Sequence, residues 1–131
     1  MREKLEKLVE NSYAKYSNYR VSAICVMKDG REFSGVNVEN ASYGATICAE
    51  RNAIFNAITC GYKKGMFKEI HIYVDSEKLG SPCFICRQVF EEFFEGAELV
   101  YIYSKNECVS YKVKELCPYP FSEEMLWKVE L

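Results

Sequence analysis

Residues 46–61 read Thr46-Ile47-Cys48-Ala49-Glu50-Arg51-Asn52-Ala53-Ile54-Phe55-Asn56-Ala57-Ile58-Thr59-Cys60-Gly61. This run predicts a helix that starts near Thr46 or Ile47, extends to about Cys60 and is stopped by Gly61. It is apolar on most sides, which predicts burial. The small-residue stripe Ala49, Ala53, Ala57 lets it lie close against a sheet or another helix. Towards the N-terminus, Val21–Met27 and Glu32–Val36 have strand character, and Asp29-Gly30 between them is a hairpin signal. Still earlier, Leu5, Leu8, Val9, Ser12 and Tyr13 fall on one helical face with charges between them. Towards the C-terminus, Ile70, Ile72 and Val74 alternate with His71, Tyr73 and Asp75, as in a strand with one buried face. Ser81-Pro82 then reads as an N-cap followed by proline at the first helical position. Cys86, Val89, Phe90 and Phe93 make the apolar stripe of a third helix ending at Gly96, and Leu99–Tyr103 is a further strand. After Pro118 and Pro120, Ser122 caps a short helix with Glu123 and Glu124 in its first turn. The order αββαβαβ plus a tail predicts a mixed sheet covered by helices.

With 131 residues, the chain is read as one domain over 1–131. Apolar residues make up 49%, enough for a core. A formal charge of −2 argues against a broadly basic nucleic-acid-binding surface. No run of about twenty apolar residues predicts a membrane span. Met1 to Glu10 is charged and lacks the apolar centre of a secretory signal, so a cytoplasmic location is expected. There, seven cysteines are read as ligands, thiols or small apolar residues rather than disulfides.

Three of them sit at predicted helix starts. Cys48 opens the second helix; Cys83 and Cys86 open the third and, three apart in a first turn, present their sulfurs to one side. Zinc favours a tetrahedron of soft ligands, with Zn–S near ~2.3 Å, and three protein ligands leave a fourth position open. At the rim of a helix, groups on either side of the axis can converge on one ligand. Glu50 is therefore expected to act as a proton carrier beside the metal without binding it. Three thiolates on Zn²⁺ leave a net charge of about −1. Two helix N-termini, at roughly +0.5 each, and Arg51 and Arg87 as donors to thiolate are expected to offset it. Taken alone, Cys83-x-x-Cys86 reads as a redox pair or half of a structural zinc site. Cys25, Cys60, Cys108 and Cys117 lack ligand-spaced partners and are read as buried small apolar residues. His71, in a strand pattern, is read as structural.

Cys48-Ala49-Glu50 and Pro82-Cys83-Phe84-Ile85-Cys86 match the known zinc-deaminase signature. With Asn37-Val38-Glu39-Asn40-Ala41-Ser42-Tyr43-Gly44, Cys48-Ala49-Glu50-Arg51 and Cys86-Arg87-Gln88-Val89, the chain resembles the short-chain cytidine deaminases from Tyr16-Ser17-Asn18 to Phe121. The resemblance implies a three-layer α-β-α fold with a five-stranded mixed sheet, usually as a homotetramer. It implies hydrolysis of cytidine and 2′-deoxycytidine to the uridines with release of ammonia, a salvage reaction on a free nucleoside. It also implies one zinc ion per subunit on Cys48, Cys83 and Cys86, with Glu50 as the proton shuttle. Asn37 and Glu39 would hold the ribose 3′-hydroxyl, the Ala49 N–H would meet the base O2, and the Ser81 carbonyl would meet the amino group. Phe121 would stack on the base in a neighbouring subunit, so that sites are shared.

The chain departs from the family at several places. Phe84 and Ile85 stand where small residues are usual, Tyr19 where phenylalanine is common, Ser22 for glycine and Cys117 for leucine. Bulk beside the metal would reshape the pocket or a subunit contact. A zinc-stabilised scaffold without turnover remains a second reading, as does a relative acting on another aminopyrimidine nucleoside.

Overall fold

The computed structural model describes residues 1–126. Nine main elements follow in chain order: α1 (Arg2–Leu8), β1 (Val21–Met27), β2 (Glu32–Val36), α2 (Ala49–Thr59), β3 (Phe67–Val74), α3 (Phe84–Phe93), β4 (Leu99–Tyr103), β5 (Cys108–Lys112) and α4 (Val113–Leu116). The strands form one sheet in the order β2-β1-β3-β4-β5. The β3–β4 pair is parallel and the other three are antiparallel, so the sheet is mixed. The family's five-stranded sheet with flanking helices is therefore present, and β1 and β2 have the predicted bounds.

The helices α2 and α3 cover one face. Ala23, Cys25, Ile70, Ile72, Val100 and Ile102 meet Ala53, Ile54, Ala57 and Phe90 there, all at most 1% exposed. Burying a side chain such as Phe90 stabilises the fold by roughly 1.5–3 kcal/mol. On the opposite face α1 places Leu5, and the 3-10 turn after it places Val9, over Ile24, Tyr73 and Tyr103. The predicted alanine stripe lies on the sheet, and the sheet supplies a gap for it. A Cβ on Gly35 of β2 would come within 2.5 Å of the Ala49 carbonyl oxygen and the Ala53 nitrogen. Asn52 and Asn56, one turn apart, donate from Nδ2 to the carbonyls of Val36 (2.8 Å) and Ser34 (2.9 Å) on this edge strand. The helix bearing Cys48 at its head is thus held against β2 by a steric gap and two amide bonds.

Several expectations are corrected. The first helix ends at Leu8 and a 3-10 turn runs over Val9–Asn11, so Ser12 and Tyr13 leave the helical face. Tyr13 instead bridges Val38. The central strand β3 is buried on both faces, because α1 also covers Tyr73 and the β4 ring of Tyr101 stacks on His71 at 4.5 Å. The second helix begins at Ala49, after Cys48 as N-cap. The third begins at Phe84, not at Pro82, because the Cys83 thiol accepts from the Cys86 N–H and takes the capping role expected of Ser81. It ends at Phe93, with Phe94 already extended. The tail turn over Glu123–Met125 is a 3-10 turn rather than an α-helix. The apolar pattern does not reveal β5, since only Val109 of that exposed edge strand packs on the core.

Candidate metal centre and substrate cavity

Cys48 and Cys83 are the N-caps of α2 and α3, and Cys86 lies in the first turn of α3. The two helix heads meet, and the three sulfurs lie within 4.8 Å of one another. The Cys48 and Cys83 sulfurs are 3.7 Å apart. Tetrahedral zinc with Zn–S of ~2.3 Å separates its sulfurs by about 3.8 Å, so the soft donor set fits that ion. Among the described residues these three form the only group of potential ligands close enough to share a metal ion. A fourth protein ligand, which a structural site would use, is not in the group.

Charge is arranged to match. The Arg51 guanidinium places Nη2 3.5 Å from the Cys48 sulfur, and its buried Nε has no partner among the described residues. The Cys86 thiol and the Arg51 guanidinium together outweigh desolvation and pull Cys48 down to about 5. Cys86 moves the other way, pushed up by its bond to Cys48 and by burial. The cluster therefore favours a thiolate on Cys48, beside an arginine and at a positive helix end. Glu50 is 4% exposed. Burial, assisted by the nearby Cys48, pushes its carboxyl up to about 7, so that it can hold or release a proton near neutrality.

Arg87 departs from its expected contact with thiolate. Its Nε donates to the Pro82 carbonyl at 2.8 Å and Nη1 to the Leu116 carbonyl at 3.1 Å. It ties the Cys83 loop to the end of α4, while its guanidinium stacks 4.4 Å from the Phe84 ring centre. Such a contact acts on the loop's position rather than on the sulfur.

A cavity of about 230 Å³ opens beside the sulfurs, lined by Cys48, Cys83, Ala49, Glu50, Asn37, Glu39 and Ser81. Asn37 and Glu39 lie just past the end of β2. The Asn37 Oδ1 accepts from the Val21 N–H at 3.0 Å and from the Ser12 hydroxyl, and Nδ2 donates to the Tyr19 carbonyl at 2.7 Å. One amide N–H remains for a ligand. The Glu39 Oε1 accepts from the N–H groups of Tyr16 and Ser17, each at 3.0 Å. The Ser17 hydroxyl bonds Oε2 and holds Glu39 below the usual carboxylate range.

Phe121 lies outside this cavity. It is 54% exposed, and its carbonyl accepts from Gln88 Nε2 at 2.7 Å. Phe84 and Ile85 also do not line the cavity and are 74% and 61% exposed. Their bulk is therefore not part of the pocket wall. Cys25 is buried as expected, whereas Cys60 and Cys108 are exposed, lying at a helix end and on an edge strand. His71 sits on the opposite face of the sheet, bonded to the Tyr103 hydroxyl at 2.8 Å and to Glu69. Tyr19, Thr46, Ile72, Val74 and Gly80 line the cavity without having been expected there. Only Tyr19 carried a signal, as a departure from the family pattern.

A family profile described as the cytidine and deoxycytidylate deaminase zinc-binding region matches residues 1–103. A cytidine deaminase of Sporosarcina psychrophila is 38% identical over 122 residues, 92% of this chain and 88% of that protein. A probable cytidine deaminase of Dictyostelium discoideum is 39% identical, covering 95% of this chain and 88% of its own length. The crystal structure of cytidine deaminase from Burkholderia pseudomallei superposes with a TM-score of 0.86 at 38% identity, over 91% of this chain and 94% of the other.

Proposed function

The chain belongs to the cytidine and deoxycytidylate deaminase family, and we propose that it hydrolyses cytidine and 2′-deoxycytidine to uridine and 2′-deoxyuridine, releasing ammonia. The observation that carries this reading is the junction of two helix heads, where Cys48, Cys83 and Cys86 converge beside the buried carboxyl of Glu50. Zinc bound there, one per subunit, supplies Lewis acidity and makes water acidic enough to react near neutral pH.

The chain's own groups do the rest. Glu50 takes a proton from the attacking water and delivers it to N3 of the base. It then carries the second proton to the amino group that leaves C4 as ammonia. Its burial supports this role, because a carboxyl poised near neutrality can give and take a proton within one turnover. The Ala49 N–H, at the open head of α2, binds the base O2. The Ser81 carbonyl accepts from the amino group. Glu39, ionised and fixed by three bonds from residues 16 and 17, and the free N–H of Asn37 bind the ribose 3′-hydroxyl. Arg51 neutralises the thiolates, and Arg87 holds the Cys83 loop in place.

Residues 1–131 act as one catalytic domain. The exposed Phe84, Ile85 and Phe121 support a homotetramer in which Phe121 stacks on the base of a neighbouring subunit. A free nucleoside substrate supports a place in cytoplasmic pyrimidine salvage, with neither nucleic acid nor membrane as partner. No described helix is long and apolar enough to cross a membrane.

Incubation of the zinc-loaded protein with cytidine, 2′-deoxycytidine and 3′-deoxycytidine tests the reading. Equimolar uridine product and ammonia from the first two, with weaker binding of the third, is expected. Full binding of 3′-deoxycytidine would remove the roles of Asn37 and Glu39.

A further inference from the structure

Tyr19, 47% exposed, lines the cavity together with Asn37, Glu39, Glu50 and Gly80. Its N–H donates to the Ser17 hydroxyl at 3.0 Å and its carbonyl accepts from Asn37 Nδ2 at 2.7 Å. Its backbone is therefore anchored by Ser17, which also binds Glu39, and by Asn37, just past the end of β2. At the far end its hydroxyl lies over Gly80. A Cβ on Gly80 would come within 2.0 Å of the Tyr19 Oη, 3.0 Å of Val74 Cγ2 and 3.3 Å of Tyr19 Cζ. The hydroxyl fills the slot that the missing side chain leaves. Burial and the nearby Glu50 raise the phenol's pKa, so the group in the slot is neutral.

The geometry points to a size filter: the Tyr19 hydroxyl and Gly80 exclude substituents at position 5 of the pyrimidine, so that cytosine nucleosides are favoured over 5-methylcytosine nucleosides. This rests on the proposed reaction and on Ser81 meeting the amino group. With O2 at Ala49 and the 4-amino group at Ser81, the next ring atom past the amino-bearing carbon is C5. Gly80 precedes Ser81, and consecutive Cα atoms are about 3.8 Å apart, so the Gly80 slot borders that edge. A methyl group on C5 needs the volume that the hydroxyl occupies. Phenylalanine at position 19 leaves it open.

The test measures preference rather than activity alone. Zinc-loaded parent, Tyr19→Phe, Gly80→Ala and the double variant are titrated calorimetrically with uridine and 5-methyluridine. Their kcat/KM values for cytidine and 5-methylcytidine are compared in parallel. The parent is expected to favour the unsubstituted ligands by roughly tenfold or more, the scale of one methyl group in a tight pocket. Tyr19→Phe should cut that preference about tenfold in both measurements. Gly80→Ala should weaken all four ligands, and Tyr19→Phe should relieve that loss, since the nearest ring atom is then at 3.3 Å. An unchanged preference in folded, zinc-loaded Tyr19→Phe overturns the filter, as does equal weakening of both ligands. A parent that binds the uridines selectively but releases no ammonia from cytidine contradicts the reaction instead.

Discussion

The sulfurs of Cys48 and Cys83 lie 3.7 Å apart although the two residues are the N-caps of different helices. One junction therefore collects two positive helix ends, three soft ligands and a buried carboxyl. The chemistry of the site depends on how firmly those two heads are held together.

Arg51 is the side chain that brings a guanidinium nitrogen within 3.5 Å of the Cys48 sulfur. Arg51→Ala should weaken zinc binding by about 10–100-fold, the usual cost of removing a group that supports a metal ligand. Competition with a chromophoric chelator measures it. Unchanged affinity would show that the helix ends suffice.

Gly35 sets the approach of α2 to the sheet. In Gly35→Ala the new Cβ would sit 2.5 Å from two backbone atoms of α2, so the helix must shift. A loss of roughly 1–3 kcal/mol is expected from such overpacking, read as a lower midpoint in urea. A variant as stable as the parent would show that α2 is free to move on β2.

The sequence made most of this arrangement legible. Strand character placed β1, β2 and β4, alternation marked β3, and the two cysteine motifs placed the candidate metal ligands. What escaped depended on tertiary contacts. The fifth strand has one core-facing side chain, Val109. The start of α3 moved because a thiol, which sequence rules do not count as a cap, accepts the Cys86 N–H. The nearness of Arg87 to Cys86 in sequence suggests a thiolate contact, but the carbonyls of Pro82 and Leu116 hold it instead. Gly80 gave no signal at all, because only the ring of Tyr19 gives the missing side chain a meaning.

Arg20 holds Asp75, the residue after β3, below the usual carboxylate range, first by its hydrogen bond and then by its charge. The folded pKa is lower than the unfolded one. The stabilisation is present above the unfolded value near ~4 and is lost as pH falls through the folded value. Asp75→Asn should cost about 1 kcal/mol at neutral pH and less at acid pH. Urea melts at pH 7 and pH 3 give the comparison. An equal loss at both would mean that the pair contributes no charge-dependent stability.

Phe121 lies outside its own cavity and is 54% exposed, and the proposed tetramer assigns it to a neighbouring copy. Phe121→Ala should lower kcat/KM for cytidine while one zinc per chain is retained, and mixing it with inactive Glu50→Gln chains should restore part of the activity. Full activity in Phe121→Ala would remove the shared site.

The most direct measurement is ammonia release from cytidine by the parent and by Glu50→Gln, with zinc content determined on the same samples. The account predicts turnover in the parent, equal zinc in both, and a rate in the variant lower by about 10²–10⁴-fold, the contribution of a positioned proton carrier. Comparable rates in the two proteins at equal zinc content would contradict it.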